Sequence, residues 1–179
     1  MTPNSTAPIP TPADIGFSLP AEWEKHEATW LAWPHNSADW PNKFDPIPWV
    51  YGEIVRKITP GEVVRLLIQS EADEESVRQK LSRAGAEVNR VEFIVVLTDR
   101  CWTRDSGPIF VKRAGQKPET AIVHFHFNAW AKYDNCQKDT KVPEIAARGL
   151  GKRLFNAECK GKDFVLEGGG IEVNGRGTL

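Results

Sequence analysis

The sequence lacks an excess of either charge. Its 23 Lys and Arg residues stand against 24 Asp and Glu, a formal net charge of −1. The basic footprint of a nucleic-acid binder is therefore missing. It also lacks a long apolar run. The longest, Phe93-Ile94-Val95-Val96-Leu97, falls far short of the ~20 residues that a helix needs to cross a bilayer. Cysteine is scarce: Cys101, Cys136 and Cys159 are odd in number and fit neither a disulfide framework nor a zinc site. The simpler reading is a reducing, cytoplasmic compartment. The N-terminus has neither the basic start nor the apolar core of a secretory signal. Asn4-Ser5-Thr6 is accordingly read as a chance match to a glycosylation acceptor.

What remains is a globular composition: 179 residues, 40% hydrophobic and 26% charged, enough for about one domain. Nine of the thirteen prolines precede residue 49, and five of the seven tryptophans precede residue 50. The start, rich in Pro, Thr and Ser, reads as a loose tail over residues 1–18. Thr29 to Trp33 favours a strand that Pro34 stops. Asn36 to Pro48 reads as a long aromatic loop, a lid or a wall. Without a basic groove, the early tryptophans read as core and wall, not as a base-stacking platform.

Further on, Trp49 to Ile58 has helical apolar spacing and ends at Pro60-Gly61. Val63 to Ile68 reads as a buried strand. Glu71 to Ala84 reads as a helix with Gly85 as its C-terminal glycine. Glu92 to Leu97, Ile109 to Lys112 and Ala121 to Phe127 read as strands. Pro143 to Phe155 reads as a helix opened by its proline. Phe164 to Leu166 and Ile171 to Val173 read as the last strands. The order strand, helix, strand, strand thus starts at Val63 and again at Ala121. A recurring unit suggests a propeller or another radial array, the alternative being a two-layer α/β sheet. The last residues, Asn174 to Leu179, read as a strand end, a turn and the start of another strand. Domains seldom end within a hairpin, so the expectation is a genuine start and a truncated end.

Three segments can carry chemistry. Thr98 to Pro108, TDRCWTRDSGP, follows an apolar strand, where sites are often built. It is either a polar turn closed by a local Arg104–Asp105 pair or a carboxylate in a Trp-lined pocket. Such a carboxylate can hold a guanidinium through two parallel hydrogen bonds, and the Trp face attracts the same cation. Val165 to Gly170, VLEGGG, is either a glycine-rich bulge with a solvated Glu167 or an acid in a pocket that ligand approaches closely. His124 and His126 alternate along a strand. They are either two metal ligands or packed side chains, and no third ligand stands at suitable spacing. Cys101 lies near Arg104 without a neighbouring base. All three cysteines therefore read as buried and inert.

Four motifs in register carry a resemblance. They are PAEWEKHEATWLAWPHN from Pro20, WTRDSGP at Trp102 to Pro108, FNAWAKYDN at Phe127 to Asn135, and LEGGGIEVNGRGT at Leu166 to Thr178. From Leu19 onwards the chain closely resembles the agmatine deiminase family, grouped with the bacterial type of peptidylarginine deiminase. The resemblance implies a pentein fold, a five-bladed α/β propeller. Residues 19–179 would form the N-terminal part of its single domain, about two to three blades.

The resemblance also implies a reaction. A Cys thiolate attacks the guanidinium carbon, ammonia leaves, and water releases a ureido product. Agmatine would give N-carbamoylputrescine, on a route to putrescine. No metal or organic cofactor is implied, and a homodimer is the expected assembly. Carried over by motif, Asp105 matches the first guanidinium-binding acid. Glu167 matches the acid that contacts both the guanidinium and the general acid/base His. Trp102 matches a pocket-lining residue. The family's His and second Asp lie in a Gly-His-x-Asp stretch, and its Cys comes later. Neither stretch occurs in these 179 residues. The chain alone is therefore expected to be inactive. Glu172, where relatives often have His, and Ala131-Lys132, where many have a glycine pair, leave the substrate open among agmatine, another small guanidine and peptidyl arginine. Arginine deiminases, dimethylarginine hydrolases and amidinotransferases are the related enzyme alternatives. A non-catalytic guanidine-binding module is the alternative of another class.

Overall fold

A computed structural model describes residues 10–179. Two three-stranded sheets organise it. The first contains β1 (Ala28–Ala32), β2 (Val63–Ile68) and β3 (Val91–Val95), all parallel in that order. Parallel neighbours need crossovers. These are α1 (Ile47–Ile58), which carries a proline in its first turn, and α2 (Glu71–Arg83). Gly85 follows α2 at φ +79°, and the Ala86 amide returns to the Leu81 carbonyl. That is the expected glycine terminus.

β2 is central and buried on both faces, as parallel strands usually are. Val64, Leu66 and Ile68 pack with Val55 of α1 and with Val77 and Leu81 of α2. Leu67 faces the other way, towards Ala32, Val96, Cys101 and Val142. Arg65 on that strand is reconciled with burial by Glu92 at 2.8 Å and Glu27 at 2.9 Å.

The second sheet contains β4 (Ile109–Arg113), β5 (Glu119–His124) and β6 (Arg153–Asn156). β4 and β5 form an antiparallel hairpin, and α4 (Val142–Gly149) crosses over to parallel β6. Ile122 packs under Ala146 and Ala147. On the other face Phe17 meets Phe155 at 5.6 Å, edge to face. Ser18 bridges Lys112. The expected tail of residues 1–18 lies outside the described residues as far as residue 9, and its end is packed here. A short hairpin, β7 (Glu158–Cys159) and β8 (Lys162–Asp163), follows β6.

The α/β class is as expected, but several boundaries differ. The recurring order is present, yet its units divide elsewhere: β1 joins β2, and β4 pairs with β5 and not with β3. The helix expected to run to Phe155 stops at Gly149. Gly151 turns at φ +59°, which frees Arg153–Asn156 to form β6. Of the last expected strands, Phe164 to Leu166 contributes only a bridge between Val165 and His126. Ile171 to Val173 forms none. Trp33 is core, whereas Trp23 and Trp49 are exposed and so are not core. No helix among the described residues is long and apolar enough to cross a membrane.

Leu66 is fully buried between α1, α2 and its neighbouring strands. Leu66→Ala is expected to lower unfolding free energy by about 2–5 kcal/mol, read by chemical denaturation.

Candidate functional site

Loops leaving the carboxyl ends of β1, β3 and β5 meet on one side of the fold, where open α/β sheets commonly bind ligands. After β3 the chain crosses Thr98 to Trp102 and makes a single helical turn, α3 (Thr103–Ser106), before β4. The Trp102 carbonyl accepts the amides of Asp105 and Ser106, both at 3.0 Å. Thr103 Oγ1 donates to the Trp30 carbonyl at 3.2 Å, which ties the turn to β1.

Asp105 is brought to Glu167. Burial first, and then the nearby Glu167 charge, push the Asp105 carboxyl above its ordinary range, while Arg104 pulls it the other way. The expected local Arg104–Asp105 pair is not the main partnership of that arginine. Arg104 reaches out to Glu22 at 2.6 Å. The three glycines form a 3-10 turn, Gly168–Gly170, pressed onto α3. A Cβ on Gly169 would lie 2.5 Å from Asp105 Oδ1, and one on Gly168 would lie 2.7 Å from the Arg104 carbonyl. The triplet is thus a close approach of backbone to the acid, with Glu167 half-buried. A cavity of about 490 Å³ adjoins this junction. Its walls include Thr103, Arg104, Gly107, Gly168, Ile171 and Val173, but neither of the two acids.

Trp102 lies deeper, in an aromatic group. Its ring is 5.3 Å from both Trp130 and Tyr133. The cation over its face is internal: the Arg100 guanidinium, at 5.0 Å. Arg100 also lies 4.8 Å over Tyr133 and pairs with Asp39 and Asn135. The backbone from Ala129 to Ala131 runs through positive φ at three successive non-glycine residues, a strained way to present Trp130.

Asp139, nearly fully buried, accepts the amides of Asp99 at 2.7 Å and Arg100 at 3.2 Å. Burial is the largest influence on it and carries its pKa to about 6. Sequence reading missed Asp39, Arg100, Asn135 and Asp139. The available signal was a charged Arg100 set between an apolar strand and Trp102.

The histidines separate. His124 Nδ1 lies 3.7 Å from Glu144, while the His126 amide bonds the Phe164 carbonyl. Among the described residues, no group of three or more His, Cys, Asp or Glu side chains is placed to hold a metal. Cys101 is buried 3.1 Å from the Tyr51 hydroxyl, and burial lifts its pKa to about 11, away from nucleophilic use. Cys136 is likewise buried and shifted up. Cys159 departs from expectation. It is exposed, because the β7–β8 hairpin stands off the core.

Residues 18–179 match the family described as Porphyromonas-type peptidyl-arginine deiminase. The chain is 33% identical over 177 residues to an agmatine deiminase of Pseudomonas aeruginosa (strain LESB58), covering 96% of this chain and 45% of that protein. The agmatine deiminase structure of Enterococcus faecalis superposes with a TM-score of 0.80 at 25% identity, covering 93% of this chain and 44% of that one. That of C. jejuni superposes with 0.70 at 26% identity, covering 90% and 44%. The chain therefore spans about 45% of the length of the curated relatives it matches.

Two outcomes check this geometry. Gly169→Ala is expected to cost about 1–3 kcal/mol of stability through overpacking against Asp105. Gly170→Ala, whose nearest contact would be an ordinary 3.8 Å, should stay within about 0.5 kcal/mol. For Asp139, the folded pKa of about 6 exceeds the ordinary 3.8. The folded state then binds more protons in that window, so stability falls as pH rises from about 4 to about 6. Melting curves across this range should show the fall in wild type and a flatter profile in Asp139→Asn.

Proposed function

The chain belongs to the Porphyromonas-type peptidyl-arginine deiminase family, and from that premise we propose that it supplies the guanidinium-binding acids of a hydrolase acting on guanidine C–N bonds. Agmatine is the leading substrate, with N-carbamoylputrescine and ammonia as products. The observation that carries the reading is the junction of Asp105 with Glu167 under a glycine turn. Two neighbouring carboxylates repel unless a cation lies between them. A guanidinium, planar and rich in N–H donors, matches them in charge and geometry.

In this reading Asp105 and Glu167 orient the guanidinium and favour its charged form. Trp102 stands behind them as an aromatic wall. A thiolate adds to the guanidinium carbon, the C–N bond to the departing nitrogen breaks as ammonia leaves, and water then cleaves the C–S bond to give the urea. That thiolate and its general acid/base are expected outside these 179 residues, in the motifs absent from them. The fold is read as part of a pentein ring, these residues making two to three of its five blades. Two three-stranded sheets, one built as strand, strand, helix, strand, support that division. The unpaired cysteine pattern supports a reducing, cytoplasmic setting.

Calorimetric titration of the 179-residue chain with agmatine, arginine and a peptidyl arginine tests the reading. Agmatine is expected to bind, and Asp105→Asn and Glu167→Gln should each weaken it at least tenfold, about 1.5–3 kcal/mol for a charged hydrogen bond. Equal affinity in wild type and Asp105→Asn removes Asp105 from the site. Ammonia release by the chain alone would assign the nucleophile to Cys101, Cys136 or Cys159 and overturn the expected inactivity.

A further inference from the structure

Arg100 is a buried guanidinium that the proposed chemistry does not use. Its side chain is 7% exposed, and that of its partner Asp39 is 2% exposed. One arm pairs with Asp39, in the loop after β1. The other meets the Asn135 side-chain oxygen, in the loop after β5. The plane between lies against Trp102 and Tyr133. The Arg100 backbone amide is itself held by Asp139. One side chain thus ties together the loops leaving three strands.

The link onwards to Asp105 is short. Arg100 packs on the Trp102 ring, and the Trp102 carbonyl accepts the Asp105 and Ser106 amides and the Ser106 hydroxyl, the last at 3.1 Å. Trp102 is thus held at its ring by Arg100 while its carbonyl anchors the turn that carries the acid. The role demands arginine. A lysine ammonium is a point charge that cannot bond two partners in fixed directions while presenting a flat face to two rings.

We propose that Arg100 is a positioning residue, whose guanidinium clamps Asp39 and Asn135, fixes the planes of Trp102 and Tyr133, and so holds the Asp105 turn against Glu167. Its consequence for a guanidine ligand rests on the deiminase reading; the clamp itself does not.

The test is Arg100→Lys in the 179-residue chain, read by amide hydrogen exchange and by agmatine titration. The variant is expected to keep the far-UV circular dichroism of wild type. Protection of the Asp105 to Gly107 amides should fall about tenfold, with β2 amides unchanged, and agmatine affinity should fall at least tenfold. A merely structural role would lower both sets of amides together, and that result overturns the proposal. So does a folded variant with wild-type protection of the turn. If Arg100→Lys fails to fold, Asn135→Ala removes one arm and leaves the Asp39 pair. It should cost the turn about threefold in protection, and unchanged protection overturns the clamp. Selective loss of protection in a chain that binds no agmatine, even as wild type, keeps the clamp and overturns the deiminase reading.

Discussion

Two carboxylates held near each other repel, and partial burial makes the repulsion worse. Asp105 and Glu167 are in that position: burial first, and then the Glu167 charge, raise the Asp105 carboxyl. Much of the surrounding structure follows from having to hold this arrangement. The acids come from a turn between two sheets and from a segment that meets the second sheet through a single bridge. The glycine turn lets that segment approach so closely that no side chain fits between. Arg104, the nearest cation in sequence, pairs with Glu22 and offsets the upward shift of Asp105 only in part. Bringing the two acids together in a partly buried place costs some intrinsic stability.

Buried cations are treated differently. Arg65 and Arg100 are both largely withdrawn from water, and each meets acids or amide oxygens from distant segments. Losing one partner of such a group leaves an uncompensated charge, so these contacts fix geometry more than they add stability. Arg65 braces β1, β2 and β3 from within the first sheet. Arg100 does the same for the loops above it.

How much of this was legible depends on the range of the interactions. β2 and α2 were readable, since an apolar run and a glycine terminus are local signals. α4 was placed correctly at its start but overextended. Its apolar spacing runs on into Leu154 and Phe155, which pair in β6 once Gly151 has turned the chain. The last strands failed for the converse reason. Their composition suits a strand, but only Phe164 and Val165 find partners, at His126 and Ala157. Asp105 and Glu167 were singled out through their motifs, while their nearness in space was invisible to spacing. Arg100 with Asp39 and Asn135 is the extreme case. The partners lie 61 and 35 residues away, and neither neighbourhood carries a periodic pattern that would pair them.

This difference in range explains why motif order was more informative than any single motif. WTRDSGP and FNAWAKYDN both follow strands, β3 and β5, and their loops meet where Arg100 pairs with Asn135. The third segment, LEGGG, closes over the first. A fold that stacks successive strand–helix units delivers each such loop to one side without any local code for convergence. The sequence then needs to specify only what each loop brings: an acid, an aromatic face, a glycine turn. The buried arginine is the added requirement. Loops that converge by topology arrive with several possible rotations, and a rigid two-armed side chain selects one of them. That is why Arg100, remote in sequence from Glu167, bears on how the Asp105 turn is held against it.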